Sequence, residues 1–109
     1  MKKRLLSILL CICMLSTFLP VGAMAASEED PTYLALGDSI SSGYGLSSDE
    51  KSFVDLVAAE KSLNLIDAST SGETAASLLE KLQNGAVDGL ADADVITLTI
   101  GGNDLMAAL

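Results

Sequence analysis

Three short polar segments, each carrying glycine, hold side chains suited to acyl transfer: Gly37-Asp38-Ser39, Ser69-Thr70-Ser71-Gly72-Glu73-Thr74 and Gly101-Gly102-Asn103-Asp104. A serine on a tight turn is exposed and acts as a nucleophile once a base removes its proton. A backbone N–H beside glycine, where no Cβ blocks approach, can donate to the oxyanion formed when a carbonyl is attacked. An asparagine side-chain amide can do the same. Nucleophile and donors are all present, but on segments far apart in sequence, so the fold must gather them.

The stretches between these segments show how. Tyr33-Leu34-Ala35-Leu36 is a short apolar run ended by Gly37-Asp38-Ser39, and Ser41-Ser42-Gly43-Tyr44-Gly45 reads on as a small-residue loop. That is a strand entering a permissive turn. From Ser52 the period becomes helical, with Phe53, Leu56, Val57 and Glu60 in register and Ser52-x-x-Asp55 as an N-terminal capping pair. Leu63 to Ile66 reads as a second strand. A Ser/Thr/Gly loop then leads to a helix from about Thr74 to Gln83, with Ala75, Leu78, Leu79 and Leu82 as its apolar face and Asn84-Gly85 as its stop. Val95 to Ile100, β-branched nearly throughout, is a third strand, and Asn103-Asp104-Leu105 begins a further helix.

Strand, helix, strand, helix, strand is the order of a parallel sheet with right-handed crossovers. Ligands of such sheets gather beyond the carboxyl ends of the strands, so the loops after Leu36, Ala68 and Ile100 are expected to face one crevice. Asp38 and Asp104 are expected to cap turns or helix starts rather than to act as a base.

In these residues the chain resembles the SGNH (GDSL) hydrolases. Leu36-Gly37-Asp38-Ser39 resembles the family's first block, Gly72 falls where the second block's glycine is expected, and Gly101-Gly102-Asn103-Asp104 matches the G-x-N-D third block, in the same order and spacing. The likeness covers Tyr33 to about Met106. It implies a three-layer α/β/α sandwich around a parallel, flavodoxin-like sheet, here stopping after the third strand. It implies Ser39 as nucleophile, with the Ser39 N–H, the Gly72 N–H and the Asn103 side chain as the oxyanion hole. The implied reaction is hydrolysis of a carboxylic ester of a small molecule, glycan or lipid through an acyl-enzyme, with no metal or organic cofactor. This is not the G-x-S-x-G elbow of the α/β-hydrolases, since Asp38 precedes Ser39 and Ile40-Ser41 follow it.

One block is missing. The family's D-x-x-H supplies the base and its orienting aspartate, and this sequence has no histidine. General-base assistance is typically worth about 10²–10⁴ in rate, so little or no turnover is expected of this chain alone. The expectation is a fragment: the last helix has barely begun at Leu109, and three strands leave a parallel sheet with an open edge.

The N-terminus bears on location. Lys2, Lys3 and Arg4, the apolar Leu5 to Leu19, and Ala23-Met24-Ala25 have the layout of an export signal cleaved after Ala25. An uncleaved membrane anchor is the alternative, and either arrangement sends the remainder outward. The expected division is residues 1–25 as signal, 26–31 as a short exposed leader ending in Pro31, and 32–109 as the N-terminal part of the hydrolase domain. Cys11 and Cys13 both fall in the signal, so the mature part has no thiol for disulfide or nucleophilic chemistry. Of the charged residues it keeps Lys51, Lys61 and Lys81 against fifteen acidic residues, a net charge of −12. Nucleic acid and anionic membrane are poor partners for such a surface.

Three other readings compete. Gly43-Tyr44-Gly45 opens a G-x-G phosphate loop, but Ser48 stands where its last glycine belongs and no G-K-[ST] is present. Asp88, Asp92 and Asp94 suggest calcium, but the interleaved Leu90, Ala91 and Ala93 and the lack of a closing glutamate favour a helix-to-strand connection. A non-catalytic secreted binding module that kept the crevice and lost the chemistry is the third, and the missing histidine suits it.

Overall fold

The computed structural model describes residues 1–4 and 29–109. The expected signal core, its cleavage site and the start of the leader lie outside the described residues. No helix among the described residues is long and apolar enough to cross a membrane.

The architecture is organised around β1 (Thr32–Gly37), whose run of apolar side chains is buried on both faces, as a central parallel strand requires. β2 (Asn64–Asp67) pairs with it on one side and β3 (Val95–Thr99) on the other, both parallel, giving the order β2-β1-β3. Thr32 is opposite Asn64, and Tyr33 to Gly37 run opposite Val95 to Thr99. This is the start of the flavodoxin-like doubly wound order. Strand bounds move by a residue or two from those read in the sequence: β2 starts at Asn64 instead of Leu63, and β3 ends at Thr99.

Alternation along β1 divides the core in two. Tyr33 and Ala35 pack with Val54 and Ala58 of α2 (Phe53–Lys61), and Leu34 and Leu36 pack with Leu78 of α3 (Ala75–Gln83). The two helices therefore cover opposite faces, and the expected α/β/α layering is what the chain adopts. Burial of a side chain such as Leu34 contributes about 1.5–3 kcal/mol. The Tyr33 hydroxyl, buried with its ring, is satisfied by Thr97 Oγ1 of β3 at 2.8 Å.

Local signals fix the helix starts. Ser52 and Asp55 form the expected capping box of α2, and Thr74 with Ser77 forms another at α3. The segment after Ser39, read as loop, begins instead with one helical turn, α1 (Ser39–Ser42). The Asp38 side chain caps it by accepting from the Ile40 N–H at 3.0 Å, and Gly43 closes it. A final helix, α4 (Gly102–Ala107), follows β3.

The face of α2 differs from a reading by spacing. Phe53, Leu56 and Val57 are exposed, Leu56 by 58%, while Val54 and Ala58 pack inward. Apolar side chains surround this helix, so their period does not select the buried face. On α3, Leu78 and Leu82 pack against the sheet but Leu79 is 54% exposed. At the outer edge of β3, Ile96 and Leu98 are 47% and 55% exposed.

Candidate active site

The loops after the three strands meet at the carboxyl end of the sheet, tied in all three pairings. β1 joins β3 most tightly. The Asp38 N–H donates to the Thr99 carbonyl at 2.9 Å, Thr99 Oγ1 donates to Asp38 Oδ1 at 3.0 Å, and buried Ser41 shares a hydrogen bond of 2.8 Å with the same Thr99 hydroxyl. Gly37 makes this approach possible: a Cβ there would lie 2.0 Å from the Thr99 carbonyl oxygen, and its φ of 127° is one that side chains disfavour.

β1 joins β2 through the Thr70 N–H, which donates to the Gly37 carbonyl at 2.8 Å, and through Ser42 Oγ and Ser71 Oγ, 3.0 Å apart. The second and third loops are joined by side chains. Asn103 Nδ2 donates to the Glu73 carbonyl at 2.8 Å, and the Asp104 carboxylate accepts from the Ala75 N–H at 3.0 and 3.2 Å. Asp104 thus caps α3, and Asp38 caps α1; both are held in structural bonds, the capping role expected of them.

Ser39 stands at the first position of α1 and is half-buried. Its carbonyl accepts from the Tyr44 N–H, but among the described residues its Oγ has no hydrogen-bond partner. Gly72 sits third in a turn closed by the Glu73 N–H donating to the Thr70 carbonyl at 3.0 Å, where its φ of 84° suits glycine. A Cβ on Gly72 would meet open space, so this backbone is approachable. Asn103, half-buried at the start of α4, uses one side-chain N–H for Glu73 and has a second. Ser39, Gly72 and Asn103 therefore lie on three loops fastened to one another.

Sequence reasoning passed over two groups here. Glu73 is 4% exposed, and its carboxylate is bonded by the Lys81 ammonium and the Ser77 hydroxyl. Burial works to raise its pKa, but the hydrogen bonds from Lys81 and Ser77 and the charge of Lys81 outweigh it and hold the group below the ordinary glutamate value. A partial signal was available: 77 and 81 are four apart on α3, and Glu73, just before its cap Thr74, continues that spacing. Thr99, the hydroxyl that serves both Asp38 and Ser41, carried no comparable signal.

Two residues of the competing readings, Asp94 and Gly43, are in structural use. Asp94 Oδ2 accepts from the Thr32 N–H at 2.8 Å, fixing the start of β1 within the helix-to-strand connection. Gly43, the first glycine of G-x-G, is the left-handed cap of α1.

Comparison with known proteins bears on the family and the fold. The family model described as GDSL-like lipase/acylhydrolase matches residues 35–109. The uncharacterized protein YpmR of Bacillus subtilis (strain 168) is 36% identical over 91 residues, which cover 76% of this chain and 35% of YpmR. The crystal structure of AlinE4, an SGNH-hydrolase family esterase, superposes with a TM-score of 0.60 at 30% identity, covering 74% of this chain and 45% of AlinE4. A variant of that esterase gives the same values. The chain thus spans about a third of the curated relative and somewhat under half of the solved esterase. With a family match reaching from β1 through α4, the chain belongs to the GDSL-like lipase/acylhydrolase family.

Proposed function

We propose that the chain supplies the nucleophile and oxyanion hole of an exported serine ester hydrolase. The observation that carries this is the three-way fastening of the loops bearing Ser39, Gly72 and Asn103 at the carboxyl ends of the strands. In the proposed reaction Ser39 Oγ attacks the ester carbonyl carbon and loses its proton to a base. The carbonyl oxygen becomes an oxyanion facing the Ser39 and Gly72 N–H groups and the second Asn103 N–H. Collapse expels the alcohol, protonated by the same base, and water then releases the acyl group from Ser39. No organic cofactor or metal enters this scheme.

The base is not in this sequence, which has no histidine. On this reading the chain is a fragment of the active unit, and the D-x-x-H lies on polypeptide outside it. Small, glycan and lipid esters are all admissible substrates. Nucleic acid is not an expected partner of a mature part this acidic.

Imidazole in solution can stand in for the missing base. With an activated acetate ester and high imidazole, the chain should acquire one acetyl group on Ser39, read by peptide mass spectrometry, and Ser39→Ala should acquire none. Imidazole-independent labelling of lysines alone would sink the reading. Saturable binding of an ester analogue with no acylation would favour the binding module instead. Export has its own test: the protein recovered outside the cytoplasm should begin at Ala26, and recovery only inside, starting at Met1, would refute it.

A further inference from the structure

Glu73 is a carboxylate buried immediately beside a glycine whose N–H, on the reading above, is an oxyanion donor. Burying a carboxylate costs desolvation that one partly exposed ammonium, Lys81 at 38%, commonly only offsets, so net stability is a poor account of why it is there. Its connections suggest a better one. The Glu73 carboxylate is gripped by Lys81 and Ser77, both on α3. Lys81 also reaches Thr70 Oγ1 at 3.3 Å, so one ammonium holds both ends of the turn from Thr70 to Glu73. The backbone of Glu73 supplies the carbonyl that receives Asn103 Nδ2. At Gly72 itself an added Cβ would meet open space, so packing at that residue does not hold the turn; at the neighbouring Ser71 the hydroxyl meets Ser42 Oγ at 3.0 Å.

We propose that Glu73, clamped by Lys81 and Ser77, is a positioning residue that sets the Gly72–Glu73 backbone and, through its carbonyl, the direction of the Asn103 amide. Two donors, one from the turn after β2 and one from the helix after β3, are thereby held at a fixed separation before any ester binds. Catalytic donors are effective when they need no reorganisation as charge develops, which is what such a clamp supplies. This rests on the proposed esterase reading for its purpose, but the coupling of Glu73 to Asn103 stands or falls separately.

The test reads Asn103 directly. The sequence contains three asparagines and one glutamine, so side-chain amide pairs in the proton–nitrogen spectrum of the full chain are few and can be assigned with Asn103→Asp. In the unmodified chain the Asn103 pair should be widely split, with one slowly exchanging proton. Glu73→Gln and Lys81→Met should narrow the splitting and speed that exchange about tenfold, the loss of roughly one hydrogen bond. Lys81→Arg should restore both, and β1 backbone resonances should stay in place throughout. Should Glu73→Gln fail to fold, Lys81→Met carries the same test from a more exposed position. Variants that melt lower yet leave the Asn103 pair unchanged would show a merely structural ion pair and overturn the proposal. Imidazole-assisted acylation separates the two claims: its absence in the unmodified chain, with the Asn103 coupling intact, removes the esterase reading and leaves the positioning.

Discussion

Asn103 Nδ2 and the carbonyl oxygen of Glu73 lie 2.8 Å apart, so the side chain that follows β3 is steered by the backbone that follows β2. Replacing Asn103 by alanine removes this bond together with a proposed oxyanion donor. Imidazole-assisted acylation of Ser39 should fall about 10²–10³-fold. Stability in urea should fall by only ~0.5–1.5 kcal/mol. Equal losses in both measurements would mean that Asn103 only holds the loops.

Gly37→Ala, at the buried end of β1, should be among the most damaging single-methyl additions in the chain. The added Cβ would lie 2.0 Å from the Thr99 carbonyl oxygen, at a φ of 127°. Overpacking of this kind costs about 1–3 kcal/mol and backbone strain adds to it. Urea unfolding of Gly37→Ala beside Gly45→Ala, where a Cβ meets nothing, isolates the steric part.

Leu34 and Leu79 make a second contrast. Leu34 is fully buried between β1 and α3, and Leu34→Ala should cost about 2–5 kcal/mol. Leu79 belongs to the apolar face read from the sequence but is 54% exposed. Leu79→Ala should change stability by no more than ~0.5 kcal/mol. Thermal melts of the two variants decide whether the observed face of α3 is the packed one.

The depressed pKa of Glu73 has a pH signature. A carboxylate lowered below its ordinary value of 4.5 adds stability that is present above that value and lost as pH falls through the folded-state pKa. The melting temperature should therefore drop between ~pH 5 and ~pH 3, and Glu73→Gln should drop less over that interval. Parallel curves would assign the acid sensitivity to other carboxylates.

Much of this was legible in the residues. The apolar run of β1, the β-branched β3 and the Ser52–Asp55 capping pair are local signals, and they marked the alternation of strand and helix. The glycine-containing segments were expected to gather beyond the carboxyl ends of the strands, and bonds among Gly37, Thr70, Asp38, Thr99, Glu73 and Asn103 join them there. What stayed hidden depends on partners far along the chain. Val54 and Ala58 are no more apolar than Phe53 and Leu56, and only their orientation towards Tyr33 and Ala35 buries them. The turn from Ser39 to Ser42 is helical because Asp38 and Gly43 cap it, although its serines and following glycines read as loop. Nothing local marks Glu73 as buried, since glutamates are mostly exposed, and its partners Ser77 and Lys81 meet it only once α3 is formed.

The pairing of β1 on both sides also governs how the chain comes to be folded. Neither of its partners is a hairpin neighbour, and the Tyr33 hydroxyl finds Thr97 across 64 positions of sequence. Strand pairings that close such long loops are reached slowly, because chain entropy is lost before contacts repay it. Until Thr99 has emerged and docked, β1 has one edge unpaired even after α2 and α3 have covered its faces, so the nascent protein passes through an interval as a half-assembled sheet with an open strand edge.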